Sequence, residues 1–466
     1  MMETLASPPE EVLTPRHVLI KTWGCQMNVY DSGRILGLLR PLGYRPTEDV
    51  TEADLVVFNT CHIREKASEK LFTELGRLKP LQRARAAEGK RLLIAVGGCV
   101  AQAEGDEILR RAPFVDLVFG PQTYHRLPHL LAEAVRTEGG GRVLDIAFPP
   151  EPKFDSLPAL TGPGSVSAFL TIQEGCDKFC AFCVVPYTRG AETGRPRDAI
   201  VDEARNLIAR GAREITLLGQ NVNAWRDPPS GEGLGALIRH LADLPDLKRL
   251  RYTTSHPRDM DADLIAAHRD VPTLMPFVHL PVQSGSDRVL AAMNRRHTAD
   301  DYRRRVERLR EACPSLALST DLIVGFPGET EDDFAATLRL VEQVTFAQAY
   351  AFAYSPRPGT PAATLNDPVP EDVKAERLTR LLALLRVQQG AFNSALVGKA
   401  TSILFEDTGR TPGTLFGRTP WMQPTQVPAS PDWLGREARV EIVDSSPNTL
   451  KGRLLQDVSE RGSHEG

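Results

Sequence analysis

Residues 174–183 have the sequence EGCDKFCAFC, which contains Cys176, Cys180 and Cys183 in a C-x3-C-x2-C spacing. The next cysteine along the chain is the distant Cys313. An iron–sulfur cube normally takes four thiolates, and a structural zinc ion is enclosed by four ligands. A local set of three cysteines therefore indicates either a remote fourth ligand or a metal position that is left open for chemistry.

The two alternatives imply different metals. A zinc site would be completed by a distant histidine, such as His256 or His279. A 4Fe-4S cube held by three cysteines instead leaves one iron free to bind the amino and carboxylate groups of S-adenosylmethionine (SAM), and this pairing supports radical chemistry. The spacing favours the cube and leaves zinc as the alternative.

The composition is that of an ordinary globular protein. The chain has 466 residues, of which 41% are hydrophobic and 25% are charged, and this length predicts about three domains. Because it shows no apolar run of about 20 residues, no signal peptide and an odd number of cysteines, we expect a cytoplasmic protein that does not enter a membrane. The net charge of -4 gives no general reason to expect nucleic acid, so an RNA partner must be inferred from local features.

The N-terminal part of the chain alternates between strand patterns and amphipathic helix patterns. This alternation is typical of a parallel α/β sheet, with strands predicted at residues 17–21, 54–61, 91–99 and 115–119. Cys25, Cys61 and Cys99 each fall where a strand gives way to the following loop. Since the carboxyl ends of parallel strands share one edge of the sheet, we predict that these thiols converge on a second cluster. The alternative is that each is an ordinary buried cysteine.

A Pro- and Gly-rich linker at 148–166 precedes six further strand–helix units. Such units fit a partial (β/α)6 barrel with its active site at the carboxyl ends of the strands, and the strands are predicted at 168–173, 214–218, 249–254, 277–282, 316–324 and 349–354. Glycines and polar residues follow four of these strands, in turns that contain Gly219, Gln220, Asn221, Ser255, His256, Gln283 and Gly325. His256 and His279 are candidate acid–base groups, or else structural histidines.

The C-terminal part changes pattern again. An arginine-rich segment at 295–310 is either a phosphate contact or a solvated helix face. A long helix at about 370–389 follows, and then short strands and turns at 400–455 fit a small β-barrel. Small barrels of this kind often bind RNA.

Taken together, these motifs resemble the radical-SAM methylthiotransferase family. The cysteine stretch with Phe182 before its last cysteine is similar to the radical-SAM superfamily. The sequences TWGCQMN at 22–28, NTC at 59–61 and GGC at 97–99 are similar to the methylthiotransferases, whose TRAM domain the terminal barrel resembles. Residues 279–286 and 354–360 look most like the MiaB-type branch, the tRNA-2-methylthio-N6-dimethylallyladenosine synthases.

The resemblance implies three domains and two cofactor sites. The domains are an N-terminal methylthiotransferase domain at 16–136, a radical-SAM core at 162–395 and a TRAM barrel at 398–460. One 4Fe-4S cluster is expected on Cys25, Cys61 and Cys99, and the other on Cys176, Cys180 and Cys183. The expected SAM contacts are Phe182, Gly219, Gln220, Asn221, Gln283 and Gly325.

The implied reaction adds a methylthio group to C2 of N6-isopentenyladenosine at tRNA position 37. One SAM would be the methyl donor and a second SAM the radical source. The implied partners are tRNA and an electron-donor protein such as flavodoxin or ferredoxin, and the chain is expected to act as a monomer. The rival functions are methylthio transfer to threonylcarbamoyl-modified tRNA, methylthio transfer to a ribosomal protein, and iron–sulfur carriage without catalysis.

Metal analysis tests the two-cluster expectation before any activity is measured. Protein purified without oxygen should contain about eight irons per chain, because each of the two cubes holds four, and it should show iron–sulfur absorption. One zinc and no iron would contradict the expectation.

Overall fold

The computed structural model describes residues 16–62, 66–136, 142–149, 153–162 and 164–455. It confirms the predicted α/β class, with a parallel sheet, a half barrel and a closed β-barrel in chain order. The chain divides into two compact units, Met1–Leu160 and Thr161–Gly466. Part of the predicted linker and the predicted end of the last domain at residue 460 lie outside the described residues. None of the described helices combines the length and the apolar character that a membrane span requires.

The first unit is built on a parallel sheet with the strand order β2-β1-β3-β4-β5-β6. The strands are β1 Arg16–Trp23, β2 Tyr44–Pro46, β3 Leu55–Thr60, β4 Leu93–Gly98, β5 Leu117–Phe119 and β6 Val143–Asp145. The helices are α1 Gln26–Leu39, α2 Lys66–Ala87, α3 Cys99–Arg111 and α4 Leu127–Arg136. The alternate side chains of β3 and β4 pack against α1 and α4 on one face and against α2 and α3 on the other. Helices on both faces explain why these central strands are wholly buried and mostly apolar, with Asn59 and Thr60 as the polar residues at the end of β3.

The sequence predicted four of these six strands. The two that it missed, β2 and β6, are edge strands of 3 residues each. β5 is equally short, but it is an apolar and fully buried run. β2 and β6 each contain a charged residue and are only partly buried, so pairing with the sheet rather than a local pattern defines them.

The second unit begins with six parallel strands that form a half barrel in sequential order. The two three-stranded sheets, β7-β10-β11 and β12-β13-β14, are connected by a bridge between Leu250 and Leu274. The six strands are β7 Ser167–Thr171, β10 Glu214–Leu218, β11 Arg249–Tyr252, β12 Phe277–His279, β13 Ala317–Val324 and β14 Gln348–Ala353, and a separate short pair is β8 Gln173–Glu174 with β9 Thr193–Gly194. The short pair β8 and β9, which the sequence did not predict, frames the cysteine stretch as an antiparallel hairpin.

Eight helices follow these strands within the described residues. They are α5 Val185–Arg189, α6 Arg197–Ala209, α7 Leu234–Ala242, α8 Ala262–Asp270, α9 Asp287–Ala292, α10 Ala299–Ala312, α11 Glu331–Val344 and α12 Glu371–Ser394. α10 and α11 start at capping boxes, in which Thr298 pairs with Asp301 and Thr330 pairs with Asp333.

The C-terminal barrel is closed, with the strand order β15-β16-β17-β19-β18. Its strands are β15 Ala400–Thr408, β16 Thr414–Arg418, β17 Pro424–Pro428, β18 Glu437–Ser445 and β19 Leu450–Leu454. Trp421 and Met422 pack against residues at the amino ends of β12, β13 and β14. The barrel therefore lies against the amino ends of these half-barrel strands.

Two buried arginines of β11 hold the C-terminal barrel in place. Arg249, with 0% of its side chain exposed, donates to Glu437 Oε1 at 2.6 Å and to the carbonyl oxygen of Arg418 at 2.6 Å. Arg251 donates to the carbonyl oxygens of Pro420 at 2.7 Å and Thr419 at 3.0 Å. Carbonyl acceptors and a carboxylate together satisfy charges that would otherwise be costly to bury.

We predict that Arg249→Met loosens the C-terminal barrel. Breaking a buried ion pair costs roughly 3–5 kcal/mol, and the partial exposure of Glu437 places this pair near the lower end of that range. The opening free energy of the β15–β19 amides, measured by hydrogen exchange, should fall by about 3 kcal/mol. Arg453→Met removes an exposed pair with Glu441 and should cost below about 1 kcal/mol. If the two substitutions lowered the opening free energy equally, the conclusion that Arg249 holds the barrel in place would be contradicted.

Candidate metal centres and cofactor site

The three cysteines lie in a loop directly after β8, the short strand that follows β7. Backbone hydrogen bonds hold it at several points: Cys183 N–H donates to Cys180 O at 2.9 Å, Cys176 N–H to Gly190 O at 3.3 Å, and Ala181 N–H to Met293 O at 2.9 Å. The loop is therefore fixed both to the β8–β9 hairpin and to the turn that follows α9. The three cysteines lie at the carboxyl end of a half-barrel strand, where ligands of such folds bind.

The three thiols are close enough to influence one another. Burial, and next the neighbouring Cys180, raises the pKa of Cys183 to about 12. Burial also raises the pKa of Cys176 to about 11, with a smaller contribution from Cys180. Thiols with such high pKa values stay protonated at neutral pH, so a metal must displace their protons when it binds.

The three thiols are the donor set expected for an iron cube with one open position. In a cube each thiolate binds a different iron, whereas the ligands of zinc must converge on a single ion. Among the described residues, no three His, Cys, Asp or Glu side chains are arranged around one such point. Of the candidate fourth zinc ligands, His256 Nδ1 accepts from Arg258 N–H at 3.2 Å and His279 Nε2 lies 3.2 Å from Asp321 Oδ1. The second ring nitrogen of each is buried without a hydrogen-bond partner.

The turn after β10 is bonded to the cysteine loop through two glutamines. Gln173 Oε1 accepts the backbone N–H groups of Gln220 at 2.9 Å and Asn221 at 3.2 Å. Gln220 Oε1 in turn accepts from Gly175 N–H at 2.6 Å. A Cβ at Gly219 would lie 2.5 Å from Gln173 Oε1, so only glycine allows this approach. The structure thus brings three predicted SAM contacts, Gly219, Gln220 and Asn221, to the cysteine loop.

The remaining predicted SAM contacts lie beside the same loop or at neighbouring strand ends. Gln283 follows β12 and pairs with β13, donating to Asp321 O at 2.9 Å and accepting from Ile323 N–H at 2.9 Å. Gly325 follows β13 directly. Phe182 packs against a buried cluster that includes Ala181, Met293, Phe326 and Tyr354. Contact of these residues with SAM stays a prediction.

Arg295 was predicted as part of a basic surface segment, and for this residue the prediction was wrong. Arg295 precedes α10, and its side chain is buried. Its guanidinium donates to Cys180 Sγ at 3.3 Å and to the carbonyl oxygen of Pro281 at 2.5 Å. The sequence did not indicate that Arg295 is buried beside Cys180, because an arginine in a run of arginines is usually exposed to solvent.

The two histidines near Arg295 are neutral. Burial, followed by the charge of Arg295, lowers the pKa of His256 far below its usual value. Burial and the same charge lower the pKa of His297 to about 4. The rings lie 5.9 Å apart, edge to face. His256 therefore carries no acidic imidazolium proton near neutral pH, which argues against the general-acid role considered for it.

The first unit brings Cys25, Cys61 and Cys99 to one edge of its sheet. In the strand register Trp23 pairs with Thr60, and Thr60 pairs with Gly98. Cys61 and Cys99 come one residue after these positions, and Cys25 comes two residues after Trp23. Since adjacent strands lie about 4.8 Å apart, the register places the three cysteines side by side. Their role as cluster ligands stays a prediction.

Two buried asparagines and two glycines shape this edge. Asn28 Oδ1 lies 3.2 Å from Cys25 Sγ, and Asn28 Nδ2 donates to Asn59 Oδ1 at 3.0 Å. A Cβ at Gly24, where φ is +133°, would overlap the Cβ of Cys61. A Cβ at Gly98, where φ is +88°, would lie 2.5 Å from Thr60 O. Glycine is needed at both positions for the loops to approach one another.

Comparisons with known proteins agree with this layout. Residues 17–120 match the Uncharacterized protein family UPF0004, residues 170–341 match the Radical SAM superfamily, and residues 394–455 match the TRAM domain. The central match makes the chain a radical-SAM enzyme, a class that uses a 4Fe-4S cluster and SAM. The three domains in this order are the signature of MiaB-type radical-SAM methylthiotransferases.

Solved structures share the fold at low sequence identity. The radical SAM methyltransferase TsrM from Kitasatospora setae, solved with cobalamin and a [4Fe-4S] cluster bound, is 15% identical with a TM-score of 0.56, over 75% of this chain and 77% of that one. The cobalamin-dependent radical enzyme OxsB is 11% identical with a TM-score of 0.51, over 79% of this chain and 56% of that one. These likenesses concern the fold alone.

We predict that Gly24→Ala weakens the site at Cys25, Cys61 and Cys99. The added methyl group would push the Cys61 loop away, so the protein should lose about four of its irons and keep the cluster on the Cys176 loop. Gly33→Ala, in the exposed face of α1, meets no atom within 4 Å. This control should keep all the iron and gain up to about 1 kcal/mol of stability. Full iron content in Gly24→Ala would contradict the prediction.

Proposed function

We propose that the protein is a tRNA methylthiotransferase that adds a methylthio group to C2 of N6-isopentenyladenosine at tRNA position 37. One SAM serves as methyl donor and a second as radical source in each turnover. The observation that carries the proposal is the pair of three-cysteine groups, Cys25 with Cys61 and Cys99, and Cys176 with Cys180 and Cys183, each at the carboxyl ends of parallel strands. A TRAM domain, which suggests RNA binding, adds support.

Two cofactor sites suit a reaction with two separate tasks. When bound, the cluster on the Cys176 loop and SAM together supply the radical that removes hydrogen from the adenine ring, and the cluster on the first unit supplies sulfur. A carbon radical reacts with whatever is nearest, so the chain must hold the substrate and exclude water. An external electron-donor protein, of the flavodoxin or ferredoxin kind, completes the proposal.

The side chains around the Cys176 loop perform the positioning. The glutamine bonds between β8 and the turn after β10 fix the loop that would face the SAM amino-acid group. The Arg295 guanidinium donates to Cys180 Sγ, which stabilises a thiolate and the negative charge of a cluster bound to it. Lys178 Nζ forms an ion pair with Asp259 at 2.8 Å, and Asn221 Nδ2 donates to the same carboxylate at 2.9 Å. These bonds connect the loop to the turns after β10 and β11.

Reconstituted protein tests the function directly. Incubated without oxygen with isopentenylated tRNA, SAM and a reductant, it should form 5′-deoxyadenosine and methylthio-tRNA. Cys180→Ala should abolish SAM cleavage and leave RNA binding intact, because the residue lies in the cysteine loop of the core and the barrel that would bind RNA is elsewhere. Absence of both products with the wild-type protein would contradict the proposal.

The rival functions give different results in the same assay. Threonylcarbamoyl-modified tRNA and a ribosomal protein, offered separately, should give no methylthio product. An iron–sulfur carrier would transfer its cluster to an acceptor protein without SAM cleavage. Product on either alternative substrate, or cluster transfer alone, would replace the proposed function.

A further inference from the structure

The last strand of the half barrel exposes two large aromatic side chains. Along β14 the residues alternate in exposure, and Tyr350 is 46% and Phe352 45% exposed. Large aromatic residues usually bury most of their surface. Two of them exposed at positions i and i+2 lie on the same face of the strand, which makes this a continuous apolar surface.

This surface faces the interior side of the half barrel. In the parallel register Tyr350 pairs with Asp321 and Phe352 with Ile323, so these four side chains share one face. The intervening residues of β13, Leu322 and Val324, are buried on the opposite face, where the helices of such folds lie. The aromatic pair therefore faces the same side as the ligand-binding lumen.

A polar pair borders the rings. The His279 ring lies 6.5 Å from the Tyr350 ring in an edge-to-face arrangement, and His279 Nε2 lies 3.2 Å from Asp321 Oδ1. Both polar side chains are partly exposed. A flat aromatic surface with a hydrogen-bonding pair at its edge matches a planar base that carries polar groups on its rim.

The surface also continues to the cysteine loop. Ile323, the partner of Phe352, packs against the cluster that contains Ala181 and is flanked by Phe182. A ring stacked on Phe352 would thus be connected to the loop of the radical centre by direct side-chain packing. Val387 on α12 is also exposed but is not part of this cluster.

We propose that Tyr350 and Phe352, bordered by His279 and Asp321, form a stacking platform for one unstacked purine base of the RNA substrate. This inference rests on the proposed function and specifies how the substrate base is held. An enzyme that acts on a base takes it out of the stack. Aromatic side chains then replace the lost stacking, at about 1–3 kcal/mol per base, which is roughly a 5- to 150-fold change in affinity.

The test measures base recognition separately from RNA binding. Full-length reconstituted protein is titrated, at fixed salt, with an anticodon stem-loop that carries N6-isopentenyladenosine and with the same RNA made abasic at that nucleotide. The wild-type protein should bind the intact RNA about 5- to 150-fold more tightly. In Tyr350→Leu/Phe352→Leu this ratio should fall close to one, and the affinity for the abasic RNA should not change.

Matched variants separate stacking from general damage. Tyr350→Phe/Phe352→Tyr keeps both rings and should keep the ratio, and each single leucine variant should lower it severalfold. Val387→Ala shortens an apolar side chain on α12 that is more exposed than either ring, and it should leave the ratio at the wild-type value.

Several results would overturn the platform. The first is a ratio near one for the wild-type protein, and the second is an unchanged ratio in the double leucine variant. The third is a double leucine variant that loses affinity for SAM and keeps its recognition of the base, which would mean that the rings bind the cofactor. Failure of the proposed function is distinguishable, because the wild-type protein would then form no methylthio-tRNA. If that product forms and the double leucine variant keeps the full ratio, only the platform is wrong.

Discussion

The shared carboxyl edge of parallel strands is the constraint on which this structure depends. Parallel strands all end on the same side of their sheet, so residues just beyond those ends are brought together whatever their distance in sequence. In the first unit this places Cys25, Cys61 and Cys99 at one edge. In the second unit it places the Cys176 loop beside the turns that follow β10 and β11. The half barrel leaves this end available because the C-terminal barrel packs at the amino ends of several of its strands.

Buried amide side chains fix both edges. In the first unit Asn28 bonds to both Asn59 and Cys25, and in the second Gln173 and Gln220 connect two loops. Each such bond contributes only about 1 kcal/mol, but an unsatisfied buried partner costs about 1–3 kcal/mol. These bonds therefore specify loop position more than they add stability. Loops held in this way keep ligand groups in place before a cofactor binds.

The sequence was sufficient to predict the fold class and the strand ends, because a buried parallel strand reads as an apolar run and the cysteines directly follow such runs. It was insufficient where pairing with distant residues decides the outcome. β2 and β6 are strands because they pair with β1 and β5 in the sheet. The hairpin of β8 and β9 has only 2 residues per strand, which is too short to show a pattern. The sequence did not indicate that Arg249 and Arg251 are buried, since several of their acceptors are carbonyl groups more than 160 residues away in the chain. Likewise, Tyr350 and Phe352 are exposed because their strand, β14, is the last of the half barrel, and the pattern of a single strand does not predict where the sheet ends.

Iron analysis of two triple variants by Mössbauer spectroscopy tests the central claim most directly. The claim is that each cysteine group holds its own cube. Alanine replacement of Cys25, Cys61 and Cys99 together should leave about four irons per chain in a cluster whose spectrum still responds to SAM. Replacement of Cys176, Cys180 and Cys183 together should leave about four irons per chain in a cluster whose Mössbauer spectrum does not change when SAM is added. Loss of all iron from either variant, or about eight irons in either, would contradict two independent sites.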